Sequence, residues 1–314
     1  MRTLVTLLLF GLLSSLHVQA QDEANHQLYL IKLEPSDSSY TLSQAKYLSA
    51  YNPSGDNITP SFISPTKIFV SSTTDKNGYE QTDIFELDLV KEQKIKITST
   101  LENELYPKNS PNAYNFTAIR EEADVDRTKR LWKFPVRVKH EKDMGEALFP
   151  YLGGIQNYAW INRNIAALVI EGNNENRLFL GKVTDNSTIF VSSGVGECIF
   201  KAFDSNDIYY VDKTLSNKWF IKKAVLSGQT KEDLDIQSIT IAETLSNVDH
   251  FSLLPNNTII SSKGSKLFIL AYSNSEDTYT WKEVADLKPI GITNIQSIEV
   301  HNDWQVLLVT NNRR

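Results

Sequence analysis

Chemistry in this sequence would have to come from few reactive groups. Beyond residue 20 the histidines are His26, His140, His250 and His301, and none has a second histidine at metal-ligand spacing, so no zinc site is expected. No Gly-x-Ser-x-Gly elbow occurs, which removes the nucleophile of α/β-hydrolase domains. Gly194-Val195-Gly196 looks like the start of a phosphate-binding loop. Strand-forming Cys198-Ile199-Phe200 follows where a helix would have to begin, so the amide cradle is missing and the segment reads as a turn. Cys198 is the single cysteine; it excludes an intrachain disulfide and, inside an apolar run, reads as a buried thiol. The densest charge cluster is Arg120-Glu121-Glu122-Ala123-Asp124-Val125-Asp126-Arg127. Its carboxylates offer oxygen ligands of the kind calcium takes, but they lack the alternation of a calcium loop and two arginines offset them, so a solvated loop is expected. Glu232-Asp233-Asp235 reads the same way. Trp132, Trp160, Trp219, Trp281 and Trp304 fall mostly inside apolar runs and read as packing residues. Trp160 is the exception, paired with Tyr158 behind Gly153-Gly154, where an aromatic platform could form.

These groups sit in a chain of 314 residues, 41% apolar and 22% charged, which is ordinary globular usage. With 32 basic and 38 acidic residues the net charge is −6, which speaks against a nucleic-acid partner held by phosphate contacts. Arg2, the apolar run Leu4–Leu13 and the small residues of Val18-Gln19-Ala20 form a cleavable export signal, placing residues 1–20 outside the fold. The apolar run is too short to span a bilayer, and no later stretch approaches that length. A periplasmic or secreted protein beginning near Gln21 is expected. Asn57, Asn115, Asn186 and Asn256 head Asn-x-Ser/Thr sequons, which matter only in a eukaryotic secretory pathway.

The elements that must position any site are short strands. Apolar runs of four to eight residues alternate with turns, as at Lys67–Ser72 and Asp83–Leu89. From Leu131 to Val138 the pattern predicts one buried face, with Trp132, Phe134, Val136 and Val138 pointing one way. Ile165–Ile170 and Val306–Val309 are continuously apolar, as strands covered on both faces would be. The runs group in fours, with first strands near Ile58, Glu104, Gln156, Cys198, Asp249 and Ile295, spaced by 46, 52, 42, 51 and 46 residues. That period predicts an all-β, six-bladed β-propeller of four-stranded blades. Only two strands fit after Ile295, and two are left over at Gln27–Leu33 and about Lys46–Tyr51. Joining them completes the sixth blade from both chain ends and hides the edge strands. Residues 21–314 are thus expected to form a single domain. A pair of β-sandwiches is the alternative.

Pro60-Ser61-Phe62-Ile63-Ser64-Pro65, Ile68–Ser72, Asp83-Ile84-Phe85 and Ile97-Thr98 resemble the WD-like repeat of TolB-type propellers: a Pro-x-Phe-Ser-Pro turn, a strand, a loop, an Asp-Ile-Tyr strand and a closing Leu-Thr. Tyr106-Pro107, Ser110-Pro111, Phe116–Ile119 and Arg130-Leu131-Trp132 repeat it in the second blade. Tyr158-Ala159-Trp160 and Gly264-Ser265-Lys266-Leu267 extend it, so the chain resembles stand-alone TolB-like propellers exported to bacterial envelopes. The Asp-Gly turn usual after Ser-Pro is lost at Ser64-Pro65-Thr66, and nothing here matches TolB's α/β domain, so TolB's docking partners are not implied.

Function is expected at the channel mouth, where six first strands converge. The candidates are Tyr106, Lys108, Tyr158, Trp160, Lys201, His250 and Glu299, bordered by the loop residues Glu121, Asp124 and Arg127. His250 also has a bland reading, as a hydrogen-bonded structural histidine. The mixture suits a protein or peptide partner in the envelope, bound by a monomer without catalysis or cofactor. The alternatives are a lactonase-type or hydrolase-type enzyme with a divalent ion in the channel, and a carbohydrate or small-ligand sensor; fold alone does not decide among them.

Overall fold

The first strand, β1 (His26–Pro35), pairs with the last, β25 (Gln305–Asn311), in antiparallel register, Leu28 opposite Val309 and Leu30 opposite Leu307. This computed structural model describes residues 26–36, 39–42, 45–51, 55–76, 79–112, 114–136, 145–227, 235–273 and 277–311. The expected export signal and its cleavage site lie outside them, as do Val138, His140, Glu232 and Asp233. β2 (Tyr40–Leu42) and β3 (Lys46–Tyr47) both flank β1, and β24 (Ile295–Val300) lies innermost. This blade is closed from both ends of the chain, as the strand count predicts.

Five further four-stranded antiparallel sheets complete the ring. The first blade holds β4 (Asn57–Ser64), β5 (Lys67–Lys76), β6 (Tyr79–Asp88) and β7 (Gln93–Lys96). The second holds β8 (Asn103–Asn109), β9 (Asn115–Glu121), β10 (Lys129–Pro135) and β11 (Glu146–Ala147). The third holds β12 (Ile155–Trp160), β13 (Ile165–Ile170), β14 (Arg177–Lys182) and β15 (Ser187–Ser193). The fourth holds β16 (Val195–Lys201), β17 (Ile208–Leu215), β18 (Lys218–Ser227) and β19 (Asp235–Glu243). The fifth holds β20 (Ser252–Leu253), β21 (Ile259–Lys263), β22 (Lys266–Ser273) and β23 (Thr278–Asp286). Among the described residues no helix is long and apolar enough to cross a membrane.

The core is a set of six seams, one between each pair of neighbouring blades. Leu28, Leu307 and Val309 meet Ile68, Val70 and Leu87 where the sixth blade joins the first. Phe69 and Ile84 meet Phe116, Ala118 and Phe134 in the next seam, where Phe116 and Phe134 stack at 5.1 Å. Successive residues of a strand serve successive seams. Ala166 and Leu168 face the second blade, while Ala167 and Val169 face the fourth. This is why Ile165–Ile170 carries no polar face: the sheet is covered on both sides, and period-two alternation only chooses which seam a side chain enters. The same fact corrects the one-faced reading of Leu131–Val138. Leu131 is buried in one seam and Phe134 in the next, whereas Val136 lies beyond β10 and is exposed.

A buried polar network crosses the seam between the first two blades. Glu104 accepts hydrogen bonds from Thr98 and Thr100, and the Arg120 guanidinium lies 3.3 Å from it and over the Trp132 ring at 4.1 Å. Burial nevertheless pushes the Glu104 carboxyl up to about 7. All five tryptophans pack against seams.

Candidate functional site

In a propeller the faces of every blade are used up in seams. What the inner strand shows to the axis is its unpaired edge, so a side chain reaches the channel mainly where the ladder is broken. It is broken in a ring. The pairing shifts register between Ile58 and Ser61, Leu105 and Lys108, Ile155 and Asn157, Val195 and Ile199, and Ile295 and Ser297. In the fifth blade the inner strand is only Ser252–Leu253, starting three residues after the expected first-strand position near Asp249. There side chains replace the ladder: Ser261 Oγ donates to the His250 carbonyl at 2.7 Å, and the Phe251 N–H points at Cys198 Sγ at 3.4 Å.

These breaks enclose an axial cavity of about 220 Å³, lined from all six blades. The first gives Thr59 and Pro60; the second Tyr106, Pro107 and Lys108; the third Asn157. The fourth contributes Glu197–Phe200, the fifth Asp249–Phe251 and the sixth Gln296–Glu299. Pro60 and Pro107, expected within turn motifs, stand at bulges of inner strands, where a missing N–H costs no ladder bond. The residues before them, Thr59 and Tyr106, have φ of 46° and 53°, a region unfavourable to any residue with a Cβ and more so before proline. The Tyr106 N–H donates to Thr59 Oγ1 at 3.0 Å, and Thr59 Oγ1 donates to Ser71 Oγ at 2.8 Å, tying the two strained residues together.

Four of the seven channel candidates line this cavity: Tyr106, Lys108, His250 and Glu299. Lys108 Nζ donates to the Tyr158 carbonyl at 2.5 Å and to Asn157 Oδ1 at 3.4 Å, and burial lowers its pKa against the opposing pull of Glu299. Burial pushes the Glu299 carboxyl up to about 7, with Lys108 opposing the rise. His250 Nε2 shares a 2.7 Å hydrogen bond with Ser262 Oγ, and burial lowers its pKa, so it is neutral at pH 7 while still facing the cavity. Burial raises the Tyr106 phenol, and Glu197, which takes its hydrogen bond, raises it further.

The other three lie elsewhere. The Tyr158 ring is buried in the seam between the second and third blades, its hydroxyl 2.7 Å from the Thr117 carbonyl and 2.9 Å from that of Tyr106. Trp160 packs in the same seam and donates from Nε1 to Thr117 Oγ1 at 3.0 Å. Lys201, at the far end of β16, donates to the Ala202 carbonyl. The bulge at Gln156 decides this: it turns Asn157 to the axis and leaves Tyr158 and Trp160 in the blade.

Glu121, Asp124 and Arg127 are outside the cavity wall. Glu121 accepts from Asn103 Nδ2 at 3.1 Å, Asp124 caps the Thr128 N–H at 2.8 Å, and Glu122 takes the Arg130 guanidinium and the Trp132 indole N–H. Among the described residues no group of three or more His, Cys, Asp or Glu is placed to hold a metal ion.

Sequence reasoning missed Cys198, Glu197, Asp249 and Asn157 as wall residues. Burial pushes the Cys198 thiol up to about 12, so it stays protonated. Asp249 pairs with Lys213 at 3.0 Å. Only the flanking prolines hinted at where the ladder breaks.

No family model matches this chain, and no curated protein matches it. Solved structures do. TolB from Acinetobacter baumannii superposes with a TM-score of 0.54 at 11% identity over 91% of this chain, which spans 64% of that protein's length. A putative TolB from Agrobacterium tumefaciens gives 0.58 at 8% identity over 91% of this chain and 98% of that one. A chain of a nidogen/laminin complex gives 0.50 at 9% identity, again over 91% and 98%. At such identities the likeness is one of fold: a six-bladed propeller of the TolB-like kind.

Proposed function

We propose that this is an exported, monomeric binding propeller that takes a protein or peptide segment of the cell envelope at its channel mouth, without catalysis and without a cofactor. The observation that carries the reading is the axial cavity walled by all six blades. A concave site at the convergence of six sheets is where an inserted side chain loses most surface to solvent. Its wall offers an exposed carboxylate at Glu197, an exposed amide at Gln296 and the part-buried ring of Tyr106, groups that recognise polypeptide. The leader-like residues 1–20 support export, and the likeness to TolB supports an envelope setting. One similar fold comes from a complex between proteins.

The test places a benzophenone amino acid at Glu197 or Gln296 in the cavity wall, and at Ile95 or Ile239 on outermost strands, then irradiates living cells. Cross-links to a discrete protein from the wall positions and none from the outer ones are expected. Cross-links confined to the outer strands would move the binding surface there.

A further inference from the structure

The channel holds two opposite charges that do not meet. Lys108 enters from β8 and Glu299 from β24, on blades that are not neighbours. They attract one another across the cavity, yet among the described residues Glu299 has neither a hydrogen bond nor an ion pair. Lys108 uses two of its three N–H groups, on the Tyr158 carbonyl and the Asn157 amide oxygen. Both side chains are half-buried, and burying a charge is costly unless it is fully paired, so each has room for a further partner.

The remaining titratable groups of the wall are already settled. Glu197 takes the Tyr106 hydroxyl, Asp249 is paired with Lys213, His250 is neutral and bonded to Ser262, and the Cys198 thiol is protonated. One cation and one anion are left, facing each other between the apolar walls of Pro60, Pro107, Ile199, Phe251 and Ile298.

We propose that the channel binds a free α-amino acid with a small apolar side chain, its carboxylate on Lys108 and its ammonium on Glu299. A zwitterion supplies both missing partners at once and adds no net charge to a desolvated site. The cavity, at about 220 Å³, falls below the ~300–1,000 Å³ typical of drug-sized ligands and suits a molecule of this size. The amino acid takes the same cavity as the polypeptide reading above, but it is tested with purified protein and free amino acids, so failure here and failure of the cross-linking test are distinguishable.

Calorimetric titration of the purified protein at pH 8 with L-alanine, L-valine and L-leucine tests it. Saturable heat is expected from at least one of the three. For that amino acid, the N-acetylated form, which lacks the ammonium, and the amide form, which lacks the carboxylate, should each bind at least tenfold more weakly. Glu299→Gln and Lys108→Met should each weaken binding at least tenfold, and Lys218→Met, outside the cavity, should not. Glu299→Gln nearly preserves shape, so the test stands even where Lys108→Met fails to fold. No saturable heat from any of the three at millimolar concentration would overturn the proposal. So would blocked forms that bind as well as the parent, or unaltered binding by Glu299→Gln.

Discussion

Glu299 takes up a proton more readily in the folded protein than in the unfolded chain, because its folded value of about 7 lies above the ordinary 4.5. The stability it contributes is therefore fully present below about pH 4.5 and is lost as pH rises through about 7. Lys108 and Cys198 face it, and the positive charge of Lys108 already offsets part of the rise that burial causes. Glu299→Gln should raise the melting temperature at pH 8, by a stabilisation on the order of 1 kcal/mol, with the gain shrinking towards zero near pH 5. Calorimetric scans of both proteins at the two pH values check this; an equal gain at both would exclude titration of Glu299 as the cause. A variant that is more stable yet loses the ligand is what a binding site maintained at the expense of the fold produces. At this scale the sequence was half legible. Tyr106, Lys108, His250 and Glu299 line the cavity, Tyr106, Lys108 and Glu299 from inner strands as expected and His250 from the segment just before β20. Tyr158, Trp160 and Lys201 do not, because alternation cannot register a bulge, and one extra residue moves every later side chain to the other face.

Elements pair tightly enough that a methyl group matters. A Cβ on Gly181 of β14 would come within 2.6 Å of Leu168 Cδ1 and 2.8 Å of Phe149 Cζ, both buried in the seam between the second and third blades. Gly181→Ala should cost about 1–3 kcal/mol, read from the midpoint of urea unfolding. A companion change, Leu168→Ala in the Gly181→Ala background, should recover part of the loss if the collision is the cause; an additive further loss would refute it. The strands themselves were plain in the sequence. Lys67–Ser72, Asp83–Leu89 and Ile165–Ile170 lie within four residues of the observed bounds, because turn residues punctuate apolar runs. What could not be read was the irregular inner edge at His250, where Ser261 Oγ stands in for a backbone partner of the His250 carbonyl from eleven residues away and Ser262 Oγ holds the imidazole.

Across the whole molecule the spacing of first strands was informative enough to place both chain ends in one sheet. β25 completes its pairing only with β1, which also carries β2 and β3. Deleting residues 21–35 should leave β25 with an open edge and unseat Leu28 and Ile31 from two seams. Size-exclusion chromatography should then show aggregate or unfolded chain; a monomer of native melting behaviour would mean that the ring does not depend on this clasp. The clasp also sets a clock. During synthesis β1 is made first and its partner β25 last, so the first strand must wait for nearly the whole chain. At ~5–20 residues per second that wait is roughly 15–60 s. Throughout it, Leu28, Leu30 and Ile31 of this segment lack the β25 residues they pair with, although β2 and β3 are already made, and whatever shields nascent chains must cover that open edge until the chain is complete.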